Sequence, residues 1–324
     1  MVKIAMAGGS GNVAGEIIDV LVAAKKHEIL ILSRKVRSHI RDAPTEGSTP
    51  GLTWAKADYN NPAQLTQILQ GVHTLLSFVT TQDDPTSKVQ KNLIDAAIQA
   101  GVKRFAPSEW ASSGLEHLSW YAYKGETRRY LEELNKDKKV LEYTLFQPGL
   151  FVNYLTHPYQ SSRHVHSIET PFDFAKRRAI LLDGGDDNRL VFTTVQDVAN
   201  VVARAIDFEG EWPVVGGIRG SSVSIAQLIA LGEKLRGGTP FEIERVKAQD
   251  LTAGTWETSW VPRLDHPSIP PEQVDSLAKF FASGILLAIP ARSFEVSDEW
   301  NRLLPDYKVT GIEEFLGDAW REKP

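Results

Sequence analysis

The chain has 324 residues, 42% of them hydrophobic and 24% charged, with a formal net charge of −5 at pH 7. That length suits one large α/β domain or two coupled ones, with enough apolar sequence for a sizeable core. The acidic balance excludes general affinity for nucleic acid, and the absence of cysteine excludes disulfides, thiolate metal sites and cysteine nucleophiles. A reducing compartment fits that composition. The N-terminal apolar run is too short to be a secretion signal, and no stretch reaches the ~18 apolar residues of a membrane span. The expectation is a soluble, cytoplasmic protein, a monomer or homodimer, with a small molecule as its partner and neither membrane nor nucleic acid.

From Val2 to Met6 the chain is largely apolar, as a strand buried on both faces should be. Glycine then arrives abruptly: Gly8 and Gly11, with Ala14 three residues on, stand just before Val13, Ile17 and Leu21, which recur at helical spacing. A strand, a glycine turn and a helix N-terminus in that order form a pocket for a pyrophosphate. Glycine lets the backbone approach, and the free amides and dipole of the helix end attract the charge. Gly8, Ser10, Gly11, Asn12 and Val13 are the predicted contacts.

Glu28 to Leu32 is a second strand, ending at Ser33, Arg34 and Lys35, with no carboxylate before Asp42. In a dinucleotide fold an acidic residue at this strand end favours NAD, whereas Arg accommodates the extra phosphate of NADP. Arg34 and Lys35 therefore predict NADP(H). Leu52 to Ala57 is a third strand closed by Asp58, and Asn61 with Pro62 opens a helix to about Leu69. A strand from Thr74 to Val79 ends at Thr80, a helix carries Val89, Leu93, Ala96 and Ala97, and another strand runs through Lys103 to Ala106 into Ser108. Alternation at this spacing implies right-handed crossovers and a parallel sheet, with ligands beyond the carboxyl ends of the strands. Gly8, Arg34, Asp58, Thr80 and Ser108 are thus expected to line one crevice.

Trp120 to Glu133 reads as a helix and Leu141 to Phe146 as the sixth strand. Residues 151 to 174 are irregular and rich in aromatic residues and histidine. Ala179 to Leu182 and Leu190 to Thr194 read as a hairpin or paired strands, Asp197 opens a helix from Val198 to Ile206, and Pro213 to Gly217 is strand-like. Ser224 with Gln227, and Thr310 with Glu313, read as capping boxes, Phe241 to Val246 as a strand, and Pro262 to Pro271 as an exposed loop. The fold class is α/β: a Rossmann doubly wound parallel sheet over residues 1–150, completed from about 190–218. A smaller α+β lobe, mainly 151–324, is expected to bind substrate.

Several runs together resemble the NmrA-like and isoflavone-reductase-like branch of the atypical short-chain dehydrogenases. They are the turn GGSGNVAG, Arg-Phe-Ala-Pro-Ser-Glu-Trp at 104–110, Lys124 with Arg128 and Arg129, the run from Tyr143 to Tyr154, Thr194 to Ala199, and Val296 to Tyr307. The last run resembles fungal members in particular. The resemblance implies a Rossmann fold, NADPH, and reduction of a small, often aromatic, secondary metabolite. It also implies that Lys124 lies beside the nicotinamide ribose and assists proton transfer, which makes Lys124 both a cofactor-binding and the catalytic candidate. The better-known short-chain dehydrogenases carry a tyrosine four residues before this lysine; here the position is Trp120, and Tyr121 and Tyr123 stand at other spacings. That departure leaves open an NADP-binding regulator or sensor without turnover, or a redox-neutral cyclase or isomerase. Trp110, Phe151, Tyr154 and His164 are the candidate substrate contacts. His157, His164 and His166 lack the carboxylate spacing of a familiar metal site, and no G-x-S-x-G elbow supports a hydrolase.

Overall fold

In the computed structural model, which describes residues 1–34, 51–80, 82–263 and 271–323, the apolar runs of the N-terminal half become parallel strands. β1 (Lys3–Ala7) passes through the glycine turn into α1 (Asn12–Ala24), and β2 (Glu28–Ser33) returns beside β1. There follow β3 (Leu52–Lys56), α2 (Pro62–Ile68), β4 (Thr74–Ser77), α3 (Lys88–Ala100), β5 (Arg104–Ala106), α4 (Ala122–Leu134) and β6 (Glu142–Tyr143). The six strands pair in parallel in the order β3-β2-β1-β4-β5-β6. This is the Rossmann order, and its reversal between β1 and β4 opens a crevice beyond their carboxyl ends.

Side chains alternate across the sheet. Ile4 and Met6 face Ile17 and Leu21 of α1, whereas Ala5 and Ala7 share the opposite core with Leu93 of α3 and Leu131 of α4. Each fully buried Ile, Leu or Met side chain among them contributes roughly 1.5–3 kcal/mol. The opening of α2 follows the prediction, with Asn61 accepting the Gln64 N–H and Pro62 in the first turn.

β7 (Leu145–Gln147) continues β6, and β8 (Leu150–Phe151), β9 (Phe172–Asp173), β10 (Arg178–Leu182) and β11 (Arg189–Thr193) come next. α5 (Val195–Asp207), β12 (Val215–Gly217), β13 (Ser221–Ser224), α6 (Ile225–Leu235), β14 (Glu242–Val246) and α7 (Ala248–Ala253) follow, then α8 (Val274–Ala288), α9 (Glu299–Leu303) and α10 (Ile312–Trp320). β12 pairs in parallel with β7, and Val198 and Val202 of α5 pack into the core that α1 covers.

Several expectations are corrected. The residues around 179–182 and 190–194 do not pair with each other. β10 lies between β14 and β9, whereas β11 lies between β13 and β8, so the glycine turn joining β10 to β11 carries the chain from one small sheet to another. α5 begins at Val195 rather than at Asp197, because Thr194 caps it by accepting the Asp197 N–H. The capping box at Ser224 is complete, but Thr310 caps nothing. Its N–H and hydroxyl donate instead to buried Asp197, at 2.9 and 3.3 Å, leaving Gly311 to start α10. The predicted loop at 262–271 falls mostly on residues 264–270, outside the described residues. Among the described residues no helix is long and apolar enough to cross a membrane.

Candidate active site

At the end of β1 the chain turns on Gly8, whose φ of +71° lies in the region that favours glycine. A Cβ there would also press on the Phe78 carbonyl carbon at 3.0 Å. The Gly8 N–H donates to the Tyr59 hydroxyl at 2.8 Å, which in turn donates to the Leu32 carbonyl at 2.9 Å. One phenol thus ties the turn to the end of β2, and burial pushes its pKa up to about 12, so it stays a donor. Ser10 and Gly11 are exposed, and Gly11 caps α1 without any side-chain bond. The first amides of α1 therefore have no side-chain cap, as an anion site at a helix end requires.

Arg34 is exposed at the end of β2, and its guanidinium donates to Asp83 at 2.5 Å. Thr80 donates to the other Asp83 oxygen at 3.4 Å, so Arg34, Asp83 and Thr80 gather on one rim, close enough that Arg34 and Asp83 both act on the Tyr59 phenol. Asp58 is exposed and turns its carboxylate onto the Asn60 N–H, stabilising the turn after β3. Lys35 lies outside the described residues. Ser108 is buried, and its carbonyl accepts the Tyr123 hydroxyl at 3.5 Å.

Lys124, in the first turn of α4, is 3% exposed. Its Nζ donates to the Glu109 carbonyl and lies over the Tyr121 ring, 3.6 Å from the centroid. Burial lowers its pKa from 10.5 to about 8, with nearby Glu109 opposing and Arg128 reinforcing the shift. The Glu109 side chain points the other way, into Arg128, whose Nε donates to Oε1 at 3.0 Å and whose Nη1 reaches the Ser113 carbonyl at 2.8 Å. The resembling runs at 104–110 and 124–129 thus meet as one unit: α4 grips the loop, and the loop presents a carbonyl to the lysine.

The aromatic candidates divide. Trp110 is 8% exposed and stacked between Phe78 (4.6 Å) and Phe146 (5.4 Å), its indole N–H donating to the Ser77 carbonyl at 2.7 Å. It is a pillar of the sheet's core. Phe151 is buried with its ring 5.6 Å from that of half-buried Tyr154. The Tyr154 phenol is raised by burial and by nearby Tyr121. His164 is not brought to them. Its ring nitrogen meets Asp19 at 2.9 Å and its backbone N–H donates to Glu16 at 2.6 Å, both on α1. That ring also explains Gly15, where a Cβ would meet it at 2.7 Å. We expect Gly15→Ala to lose about 1–3 kcal/mol despite alanine's better helix propensity, because the clash outweighs the ~1 kcal/mol of propensity. A raised melting temperature would show that the histidine simply swings aside.

Tyr59, Asp83, Glu109 and Tyr121 take part in this arrangement without having been singled out for it in the sequence. Tyr59, Asp83 and Glu109 act through contacts distant in sequence, whereas Tyr121 meets Lys124 three residues on; only Glu109 lies inside a resembling run.

A family model for the NmrA-like family matches residues 2–258 of the chain. The oxidoreductase BOA1 of Botryotinia fuckeliana is 32% identical over 241 residues, covering 73% of this chain and 77% of that one. Among solved structures, the NADPH-dependent quinone oxidoreductase QOR2 of Escherichia coli in complex with NADPH has a TM-score of 0.69 at 23% identity, covering 97% of this chain and 99% of that one. A ternary complex of leucoanthocyanidin reductase from Vitis vinifera has a TM-score of 0.67 at 17% identity, covering 99% and 100%. At these identities the structures share the fold with this chain.

Proposed function

The chain belongs to the NmrA-like family, and from that premise we propose that it is an NADP(H)-dependent oxidoreductase that reduces a small aromatic or secondary-metabolite substrate. The observation that carries this reading is Lys124, a buried amine with its pKa lowered to about 8, whose Nζ meets the Glu109 carbonyl in the loop that follows β5 of a Rossmann sheet. Relatives named as oxidoreductases and the NADPH-dependent quinone oxidoreductase of the same fold support it.

The residues fit a dinucleotide phosphate. The cradle at Gly8 would be filled by a Cβ, the end of α1 has no side-chain cap, and Arg34 is exposed at the strand end beside the turn. Gly8, Ser10, Gly11, Asn12 and Val13 would hold the pyrophosphate, Arg34 and Lys35 the 2′-phosphate, Asp58 and Thr80 the adenosine side, and Lys124 the nicotinamide ribose. The cofactor supplies the hydride. The protein's work is to orient substrate against it, exclude water, and hold a proton where the product oxygen will need one. Residues 1–150 with 190–218 would form the cofactor half and 151–324 mainly the substrate half, with Phe151 and Tyr154 as pocket contacts. Trp110 would support the pocket from beneath, and His164, already engaged with α1, would brace its edge.

Loss of NADPH absorbance in a single turnover with quinone and aromatic carbonyl probes tests the reading. Turnover with no net cofactor oxidation would replace it with redox-neutral chemistry. For cofactor choice, Arg34→Ala should cut the preference for NADPH over NADH by roughly tenfold or more, the worth of a hydrogen bond to a charged group at about 1.5–3 kcal/mol. Asp83→Asn should act in the opposite direction, because Asp83 competes with the phosphate for Arg34. Equal affinities of the parent for both cofactors in titration calorimetry would remove the argument.

A further inference from the structure

We propose that Tyr59 is the positioning residue that sets the distance between the two phosphate-holding parts of the cofactor site. The inference rests on the NADP(H) reading and names the residue that makes its two anchors act together. β1 and β2 pair in register from Lys3 with Glu28 to Ala7 with Leu32. Ala7 and Leu32 are the last rung, and beyond it the pairing of these strands no longer fixes how far apart the chains run. Gly8 then opens the turn toward α1, and Arg34 stands two residues past Leu32.

The Tyr59 hydroxyl bridges the two chains at that point. It accepts the Gly8 N–H at 2.8 Å and donates to the Leu32 carbonyl at 2.9 Å. A phenol suits the place because one oxygen both accepts and donates, and burial keeps it protonated. Its ring is 5% exposed, in the core that holds Ala7, Leu32, Leu65 and Leu93. The backbone around it is held as well: Asn92 of α3 donates to the Tyr59 carbonyl at 2.9 Å, and the Asp58 N–H donates to Gln64 of α2 at 2.8 Å. The bridging oxygen thus belongs to a frame that is part of neither anchor.

With its N–H engaged by Tyr59, Gly8 shapes the turn, and donors to a pyrophosphate come from the uncapped end of α1. A dinucleotide with a 2′-phosphate is held at two points, and the second contact adds fully only when both are kept at the right spacing. Of these two anchors NADH uses the turn alone, so it is insensitive to the span.

The test compares NADPH and NADH by titration calorimetry in Tyr59→Phe, which keeps the ring in the core and removes the bridge. NADPH affinity should fall roughly tenfold, on the scale of one or two neutral hydrogen bonds, and NADH affinity by less than about twofold. In the Arg34→Ala background the same substitution should leave NADPH affinity nearly unchanged, because one anchor is already gone. A general loosening of the fold would weaken both cofactors alike in both backgrounds, and that result overturns the proposal. Amide exchange in the cofactor-free parent needs no variant: the Gly8 N–H should exchange at least ~10-fold more slowly than that of exposed Ser10. Equal exchange overturns the bridge. A parent without preference for NADPH overturns the cofactor reading and the proposal with it; a parent whose preference survives in Tyr59→Phe overturns the role of Tyr59 alone.

Discussion

Lys124→Met is expected to lower turnover by a factor of ~100 or more, the range of positioned acid-base groups, while making the protein more stable. The two effects share one cause. Folding removes the ammonium from water, leaving it the Glu109 carbonyl and the face of Tyr121, and burial lowers its pKa from 10.5 to about 8. A folded-state value below the unfolded one means that the unfolded chain binds the extra proton between those two pH values. Parental stability should therefore rise as pH climbs from about 8 to 10.5, and below pH 8 the buried charge costs on the order of 3 kcal/mol. Methionine has nearly the same shape and no charge, so the variant should gain up to that amount at neutral pH and lose this part of the pH dependence. Turnover has its own sign. If the ammonium itself must be charged to assist proton transfer, the parental rate falls as pH rises through about 8. Glu109, Arg128 and Tyr121 are the titratable groups around it. Denaturant titration and stopped-flow absorbance on the same preparations check both halves. A variant with parental turnover would remove Lys124 from the chemistry, and one less stable at pH 7 would show that the ammonium is better solvated than its burial implies.

The N-terminal half is legible because its physics is local. Strands buried on both faces must be apolar throughout, and a glycine turn into a helix leaves a pattern that other segments rarely mimic. The C-terminal half is built differently. β8 and β9 are two residues long, too short for any alternation; β10 joins distant β14 as well as nearby β9, and β11 takes both its partners from far away in sequence. α8 does carry helical spacing at Val274, Ala278, Ala282 and Leu286, but two of those are alanines and give a weak apolar signal beside a proline-rich stretch. At the site, residue types were readable and their surroundings were not. Arg34 reads as a free cation, yet Asp83, forty-nine residues on, pairs with it. Trp110 reads as a pocket wall until Phe78 and Phe146 close over both faces. Tyr121 stands three residues before Lys124, a same-face spacing, but that its ring lies against the ammonium shows only in the folded chain. The resembling runs at 194–199 and 296–307 have a common physical reason: Asp197 accepts the Tyr307 hydroxyl at 2.6 Å, so the two segments are halves of one contact.

Glu109→Ala is expected to be the most destabilising single change at the site, by about 3–5 kcal/mol in urea titration. The carboxylate is 1% exposed and takes both its oxygens to Arg128, whose side chain is itself only 17% exposed. Removing one partner leaves a guanidinium out of water with only the Ser112 and Ser113 carbonyls to satisfy it. Removing both should cost less than the sum: in Glu109→Ala combined with Arg128→Met, the methionine covers the loop without a charge to solvate, and a coupling of roughly 0.5–3 kcal/mol should appear in the cycle. The same grip sets the chemistry, because the segment that Arg128 fixes carries the carbonyl that receives Lys124. Arg128→Met alone should therefore lower turnover even where the protein remains folded, whereas a change confined to stability would leave the rate per folded molecule untouched. A Glu109→Ala variant within about 1 kcal/mol of the parent would place the pair among weak surface ion pairs. In that case the loop is held by the stacking of Trp110, and Lys124 would owe its position to the core of the sheet rather than to its own helix.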